Sequence, residues 1–438
     1  LFYPEKRPFF LDGASYFETN NFNFVHTRNI AEPDVGLKLT GKSKQHTYGV
    51  MVANDNNTSF LMPGNQGSDI ATLEDSSEVA IARYKMDVGE RNNLGVLVTH
   101  RQGDDYRNSL VSVDGSYWFS QSDSLAYQVA QSESKNPESV IDEFDVGKAQ
   151  DDHAYSLNYS HSTRDYNLRA GYTNVGKDFR ADLGFQSRVN YEKLVLGGRH
   201  TWYGESSDLF TRWGVFGDWD QTHDQDDNKI EEEIEIHGNL QGQKQFFTNF
   251  GIVHRERFYD GEYFDETQFM MFAKFTPISG LELGSFINFG KQIDFANTDL
   301  GDKVYWEGFV DWDVNEHINI EIDYNYNQLD VDEGKLFTAN QVDFRFGYQF
   351  NMRSIVKLVV QYTDIERNVN LYTYDDVEDR PDATSRHFST QLIYSYKINP
   401  QTLFFIGYSD GGYQDDTLDS LERDQRSIFT KFSYAWQL

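Results

Sequence analysis

Along much of the chain, apolar and polar residues alternate strictly. Ile318, Ile320, Ile322, Tyr324 and Tyr326 are interleaved with Asn319, Glu321, Asp323, Asn325 and Asn327. A period of two describes a strand with one apolar and one polar face, and no helix would segregate these residues. Val342, Phe344, Phe346, Tyr348 and Phe350 oppose Gln341, Asp343, Arg345, Gly347 and Gln349 in the same way. Phe388 to Ile398 repeats the pattern, as do Leu209, Trp213, Val215 and Trp219 against Arg212, Asp218 and Asp220. A large soluble antiparallel sheet would also alternate. Strands of about 10 to 16 residues, however, suit tilted segments crossing a bilayer rather than globular strands. Their apolar faces end in Trp, Tyr and Phe, as interfacial girdles do.

The turns fall into two sets. One is short: Gly89-Glu90-Arg91, Thr163-Arg164, Glu205-Ser206-Ser207, Pro277-Ile278-Ser279, Asn315-Glu316, Asn351-Met352-Arg353 and Asn399-Pro400. The other is longer and acidic: 54–74, 137–152, 223–229, 374–382 and 413–424. Short periplasmic turns alternating with long outer loops are the pattern of outer-membrane barrels. About 21 strands follow Pro33, and an even count requires one more, for which the alternating Asn21 to Asn29 is the candidate. The sequence therefore predicts an all-β fold, a closed antiparallel transmembrane β-barrel of roughly 22 strands (range about 18–24) over 21–438, in the outer membrane of a Gram-negative bacterium. Ile318, Ile320, Ile322, Val342, Phe344 and Leu392 are expected to face lipid, and Asn319, Glu321, Asp343 and Arg345 the interior.

Composition narrows the function. The 39 basic and 70 acidic residues of the 438-residue chain leave a net charge of −31, which excludes a basic surface for nucleic acid. Mean hydropathy is −0.66, yet 16% of residues are aromatic, too many for a disordered chain. The absence of cysteine excludes disulfides, thiolate metal sites and a Cys nucleophile. No apolar run reaches the length of a membrane helix. A start at Leu1 without a basic-then-apolar leader reads as a processed chain.

At the C-terminus, Ile428, Thr430, Phe432, Tyr434, Trp436 and Leu438 share one face. Lys431, Ser433, Trp436 and Leu438 resemble the assembly signal read by the barrel assembly machinery, with Ser where Gly is usual and Leu where Phe is commoner. The opening run, especially Tyr3-Pro4-Glu5-Lys6-Arg7-Pro8-Phe9-Phe10-Leu11-Asp12-Gly13-Ala14, resembles the start of the barrel half of a bacterial family whose members carry a leading domain similar to family-9 carbohydrate-binding modules. Asp178-Phe179 through Gly184-Phe185, with Arg188 and Tyr191, resembles a second recurring run of that barrel. The resemblance implies an outer-membrane barrel connected with glycans. The leading domain is absent from this sequence, so glycan binding cannot be assigned to any residue in it.

With two close prolines, residues 1–20 suit neither a regular helix nor a strand. They are expected either as a linker beneath the barrel or as a lumen plug, with Lys6, Arg7, Phe9 and Phe10 as the plug candidates. Lumen-facing candidates are Arg212, Glu307, Asp311, Glu321, Asp323, Asp343, Arg345 and Lys357, which either pair across strands or line water. Asp224, Asp226, Asn228 and Glu235 have offsets resembling a calcium loop, but Lys229 replaces its glycine. A solvated acidic loop is the simpler reading there and at Asp330, Asp332 and Gly334. No cofactor is expected beyond divalent cations bridging acidic outer loops to lipopolysaccharide. The 11 histidines form no His-x-x-x-His pair, and no nucleophile elbow or phosphate loop occurs. Three functions remain: a channel or translocation barrel for a bulky, glycan-related solute; an occluded anchor or platform for a periplasmic or surface partner; and, least supported, a barrel hydrolase. Expected partners are outer-membrane lipid and lipopolysaccharide, the assembly machinery and a periplasmic domain or protein.

Overall fold

The computed structural model describes residues 5–73, 75–374, 380–399 and 402–434. Two short helical pieces open the chain, α1 (Pro8–Leu11) and a 3-10 turn at Ala14–Phe17, with Pro8 at the first helical position, where its missing N–H costs nothing. The opening run is thus locally helical, not purely irregular.

The strands are β1 (Pro33–Ser43), β2 (His46–Asp55), β3 (Thr58–Pro63), β4 (Ser68–Leu73), β5 (Ser77–Val88), β6 (Asn92–Gln102), β7 (Arg107–Trp118) and β8 (Asp123–Lys135). After helix α2 (Glu138–Phe144) come β9 (Ala149–Ser162), β10 (Tyr166–Val175), β11 (Tyr191–Tyr203), β12 (Phe210–His223), β13 (Lys229–Gly242), β14 (Phe247–Tyr259), β15 (Glu262–Ile278) and β16 (Leu281–Asp294). The chain continues with β17 (Asp299–Asn315), β18 (Ile318–Val331), β19 (Gly334–Asn351), β20 (Ser354–Arg367), β21 (Thr384–Asn399), β22 (Thr402–Gln414) and β23 (Glu422–Tyr434). Among the described residues, 21 strands belong to one sheet, and β3 and β4 form a separate hairpin. This is the antiparallel all-β fold of outer-membrane barrels, and 21 lies within the range expected from sequence. The expected extra strand at Asn21–Asn29 does not form: it is an extended stretch ending in a 3-10 turn at Thr27–Asn29.

The chain divides into two compact units, Leu1–Arg199 with Asp218–Glu233, and His200–Gly217 with Ile234–Leu438. In unit 1, β1, β2 and β5 to β10 pair antiparallel in succession. In unit 2, β14 to β23 do the same. Register keeps like with like. Ile322 lies opposite Phe344, and Glu321 opposite Arg345, so one face is apolar and the other polar. The apolar face is left open: Leu37 is 71% exposed, and Val50, Val96, Val111, Ile322, Val342 and Leu392 are also exposed. Such a belt, recurring strand after strand with Trp202, Trp306 and Trp312 in it, is the lipid-facing surface of a membrane barrel. The chain is therefore an outer-membrane protein. No described helix is long and apolar enough to cross a membrane.

Connections are short at 44–45, 279–280, 316–317 and 352–353 and long at 56–76, 136–148, 176–190 and 368–383, but the alternation is not strict, since 260–261 and 332–333, in long-loop places, have only two residues each. Two of the long ones carry structure that alternation did not show, the β3–β4 hairpin and α2. Of the C-terminal assembly residues, Lys431 and Ser433 lie in β23, and Trp436 and Leu438 lie outside the described residues.

Candidate functional site

The inner faces of the two units differ. In unit 1 the inward side chains include Met51, Ala53, Val79, Ile81, Leu97, Leu110, Ala130 and Ala154, all buried. Phe10, Phe17, Phe22, Phe24 and Ile30 from the N-terminal segment pack on them, together with Phe179, Ala181, Leu183 and Val189 from the β10–β11 connection. The segment runs one way along the wall and returns. Phe9 lies against Gly36, Gly13 against Thr40 and Phe17 against Gly49, where a Cβ would sit 3.0 Å from the ring. On the return, the Asn21 and Phe22 N–H groups donate to Gln128 Oε1 at 3.0 and 2.9 Å, and Ile30 bridges to Thr58. Asn21–Asn29 thus passes from the short-turn end to the long-loop end on the inner face, not within the wall.

The second of the two runs that carry the family resemblance meets residues 23–29 here, beyond the end of the opening run. His26 N–H donates to Leu183 O and Phe185 N–H to Asn23 O, each at 2.7 Å. Asn29 Nδ2 donates to the carbonyls of Asp182 (2.9 Å) and Gly184 (2.7 Å). Phe24 and Phe179 pack with centroids 5.8 Å apart and their planes tilted by 48°. A Cβ at Gly184 would lie 2.6 Å from Asn23 O and 2.7 Å from Phe24 Cα, so only glycine permits the approach.

Buried charges run through the wall and this layer, compensated by hydrogen bonds, as burial requires. Arg101, fully buried, pairs with Asp55 at 2.8 Å and donates to Ser77 Oγ (2.8 Å), Asn29 O (3.1 Å), Ser59 O (3.0 Å) and Asn57 O (3.3 Å). Asp55 also accepts from Ala31 and Glu32 N–H at 3.1 and 2.7 Å. Arg83 grips Asp114 with two bonds of 2.5 and 2.8 Å, its guanidinium lying over Gly95. Arg180 pairs with Asp182, which also accepts from Tyr106 Oη at 2.5 Å. The neighbouring Asp182 and burial raise the Tyr106 phenol well above its usual range, burial being the larger effect.

Of the plug candidates, Phe10 is buried beneath the Arg7 guanidinium, whose carbon lies 4.2 Å from the ring centroid. Phe9 is partly exposed against Gly36, and Lys6 is exposed. Arg7 does not reach an acidic wall: it pairs with Glu5 at 2.7 Å and donates to the carbonyls of Ile30 (2.6 Å) and Thr27 (2.8 Å). Burial of Glu5 opposes its ionisation, but hydrogen bonds from Arg7 and Thr27 overcome this and hold its carboxyl down at about 2.

In unit 2 the inner face of β16 to β20 is ionic. Arg345 bridges Glu321 (3.3 Å) and Asp343 (3.1 Å), and Gln361 donates to Asp343 at 2.5 Å. Asp311 lies opposite Glu321 and Asp323 opposite Asp343 in register, while Tyr305 donates to Glu307 at 3.2 Å. Lys357 is exposed beside them. The structure brings these seven sequence candidates together. Arg212 stands apart on β12, its guanidinium 5.8 Å from the Tyr203 ring.

The calcium-like offsets do not form a ligand set. Asp224 accepts from the N–H groups of Asp226 and Asn228 at 2.9 and 2.8 Å and so closes its own turn, and Glu235 pairs with His237 at 2.9 Å. A group missed in the sequence is Asp218, Asp220 and Glu233, whose ligand atoms lie within 4.8 Å of one another. Arg169 pairs with Asp218 and Lys193 with Asp220, which supplies positive charge without a metal.

No protein-family model matches the sequence, and no curated protein does. Among solved structures the chain is similar to the siderophore receptor PirA from Acinetobacter baumannii, with TM-score 0.51 and 10% identity over 89% of this chain and 74% of that one. It is also similar to the FrpB iron transporter from Neisseria meningitidis (0.47, 9%, 90% and 71%) and a BenF-like porin from Pseudomonas fluorescens Pf-5 (0.36, 10%, 78% and 98%). The first of these likenesses shows the shared barrel fold.

Proposed function

We propose that the chain is an outer-membrane channel for bulky polar solutes, with the inner layer of unit 1 as a resident constriction and the ionic inner face of unit 2 as the conducting track. The observation that carries this reading is the solvation of that track: Arg345 remains 49% exposed and Glu321 37% exposed while paired. Ions on the inner face of a membrane sheet keep water beside them. Acidic side chains predominate there, which favours cations and repels anions. The siderophore receptor of similar fold agrees with a transport role. A glycan-related cargo, and a periplasmic domain or partner, rest on the family resemblance.

Planar-bilayer recording from the full chain tests the proposal. Discrete conductance steps with cations more permeant than anions are expected, and Asp311→Asn with Glu321→Gln should lower that preference. Removing residues 1–17 should raise conductance while the barrel stays heat-modifiable on gels; unchanged permeability with an intact barrel would refute the constriction. A silent full chain would favour the second reading, an occluded anchor, which the filled inner layer of unit 1 supports.

A further inference from the structure

On β14 to β17 the inner face carries rings where alternation elsewhere places polar groups. Phe247, Phe272, Phe286, Tyr305 and Phe309 take the inward phase, because Phe250, Phe269, Phe289 and Trp306 hold the exposed outer one. Centroids are 6.0 Å apart for Phe247 and Phe272 and 5.9 Å for Phe286 and Tyr305. Phe272 and Phe309 are 6.3 Å apart with their planes within 17°. Phe309 lies opposite Gly284, and a Cβ there would stand 2.2 Å from its Cζ, so the ring reclines on the wall across the missing side chain. All five rings are only partly buried, and wetting their exposed carbon costs about 25 cal/mol per Å².

Fixed hydrogen-bonding groups border the row. Tyr305 Oη donates to Glu307 and Asn325 at 3.2 and 3.0 Å, and Lys274, opposite both Phe247 and Gly284, pairs with Glu282 at 3.0 Å. A solute that suits such a track has a flat C–H face to lie on rings and a rim of groups that both donate and accept. Glu282, Glu307 and Asp311 disfavour anionic aromatic solutes, and the ionic border disfavours purely apolar ones.

We infer that this row is a saccharide-binding track, with Phe272 and Phe309 as its stacking platform and Glu307, Tyr305 and Lys274 contacting hydroxyls. The inference narrows the solute of the proposed channel and rests on that reading only for solute access to the inner face.

The test pairs two measurements on the full chain. Maltohexaose should block the bilayer conductance and bind the detergent-solubilised barrel in calorimetry, and polyethylene glycol of equal mass should do neither specifically. Phe309→Ala should weaken block and binding by about tenfold, the upper range for a lost ring contact, while Phe309→Tyr stays within about twofold. Phe309→Leu, which keeps apolar volume without a π face, should lose as much as Phe309→Ala and serves if the alanine variant misfolds. Sugar binding weakened by these variants in a silent barrel would uphold the track and overturn the channel. Conductance with no sugar-specific block or binding, or with Phe309→Leu matching wild type, would overturn the track and leave the channel standing.

Discussion

Replacing Arg101 by Met should release the inner layer of unit 1 from the wall without dissolving the wall. The side chain is fully buried and joins β6 to Asp55, Ser77 and the carbonyls of Asn29, Asn57 and Ser59. Removing one partner of a buried ion pair costs about 3–5 kcal/mol, because the other charge stays buried. Asp55 would keep only the Ala31 and Glu32 N–H groups. Each carbonyl stripped of its donor adds up to about 1–3 kcal/mol if water does not enter, but neighbouring losses do not sum. Taking about 3–5 kcal/mol, the local opening equilibrium shifts by roughly 10²-fold to several thousand-fold. Hydrogen exchange in detergent should show protection lost at 26–32 and 57–62, with β16 to β20 unchanged and heat-modifiability intact. Arg345→Met is the control: with Arg345 49% exposed, its pairs are worth at most about 1 kcal/mol. Equal losses for the two variants, or full protection in Arg101→Met, would refute the latch.

Glu5 gives the inner layer a pH dependence. Its carboxyl is lowered from 4.5 to about 2 in the fold, so the stabilisation it lends is complete above 4.5 and is lost as pH falls toward about 2. Protease sensitivity of residues 5–31 should rise across that window in wild type and be flat in Glu5→Gln; parallel profiles would show that Glu5 does not hold the N-terminal segment in place. Gly184→Ala must push back the backbone at Asn23 and Phe24, 2.6 and 2.7 Å away, and should cost about 1–3 kcal/mol in urea unfolding. Gly347→Ala, with its nearest atom at 3.8 Å, should change stability by less than about 0.5 kcal/mol. Equal effects would show that the meeting of residues 23–29 with 182–185 is loose.

Much of the wall was legible because one period of two encodes both strand and facing. Ile322 and Phe344 outward, with Glu321 and Arg345 inward, follow from alternation alone. The same signal misled at Asn21–Asn29, where Phe22 and Phe24 alternate with Asn21 and Asn23. An extended segment laid on an inner face has the same period as a strand, and what differs is the partner of its backbone: a Gln128 side chain in place of a neighbouring ladder. Phe10 was recognisable as a residue needing cover, but its cover was not, since that comes from the Arg7 guanidinium and from a buried cluster with residues far along the chain such as Met51 and Leu97. Arg101 and Arg83 were passed over because a single cation on an alternating strand looks the same whether it meets water or a buried carboxylate. The inner-face rings were hidden for the opposite reason: Phe272 beside Met271 reads as a continuous apolar run, with no phase assigned until pairing fixes it.

The clasp between residues 23–29 and 182–185 also sets an order of assembly. Asn29 and its acceptor on Asp182 are 153 residues apart in sequence, so the first part of unit 1 to be synthesised receives its cover last. Until β10 has paired and the connection after it folds back, Phe22 and Phe24 lack the Phe179 surface they pack on. Contacts so distant in sequence form slowly, and aromatic side chains exposed meanwhile are the kind of surface that holding chaperones bind. Unit 1 therefore contains its own completion check: the segment made first is left uncovered unless the eight strands that follow it in the wall are in place.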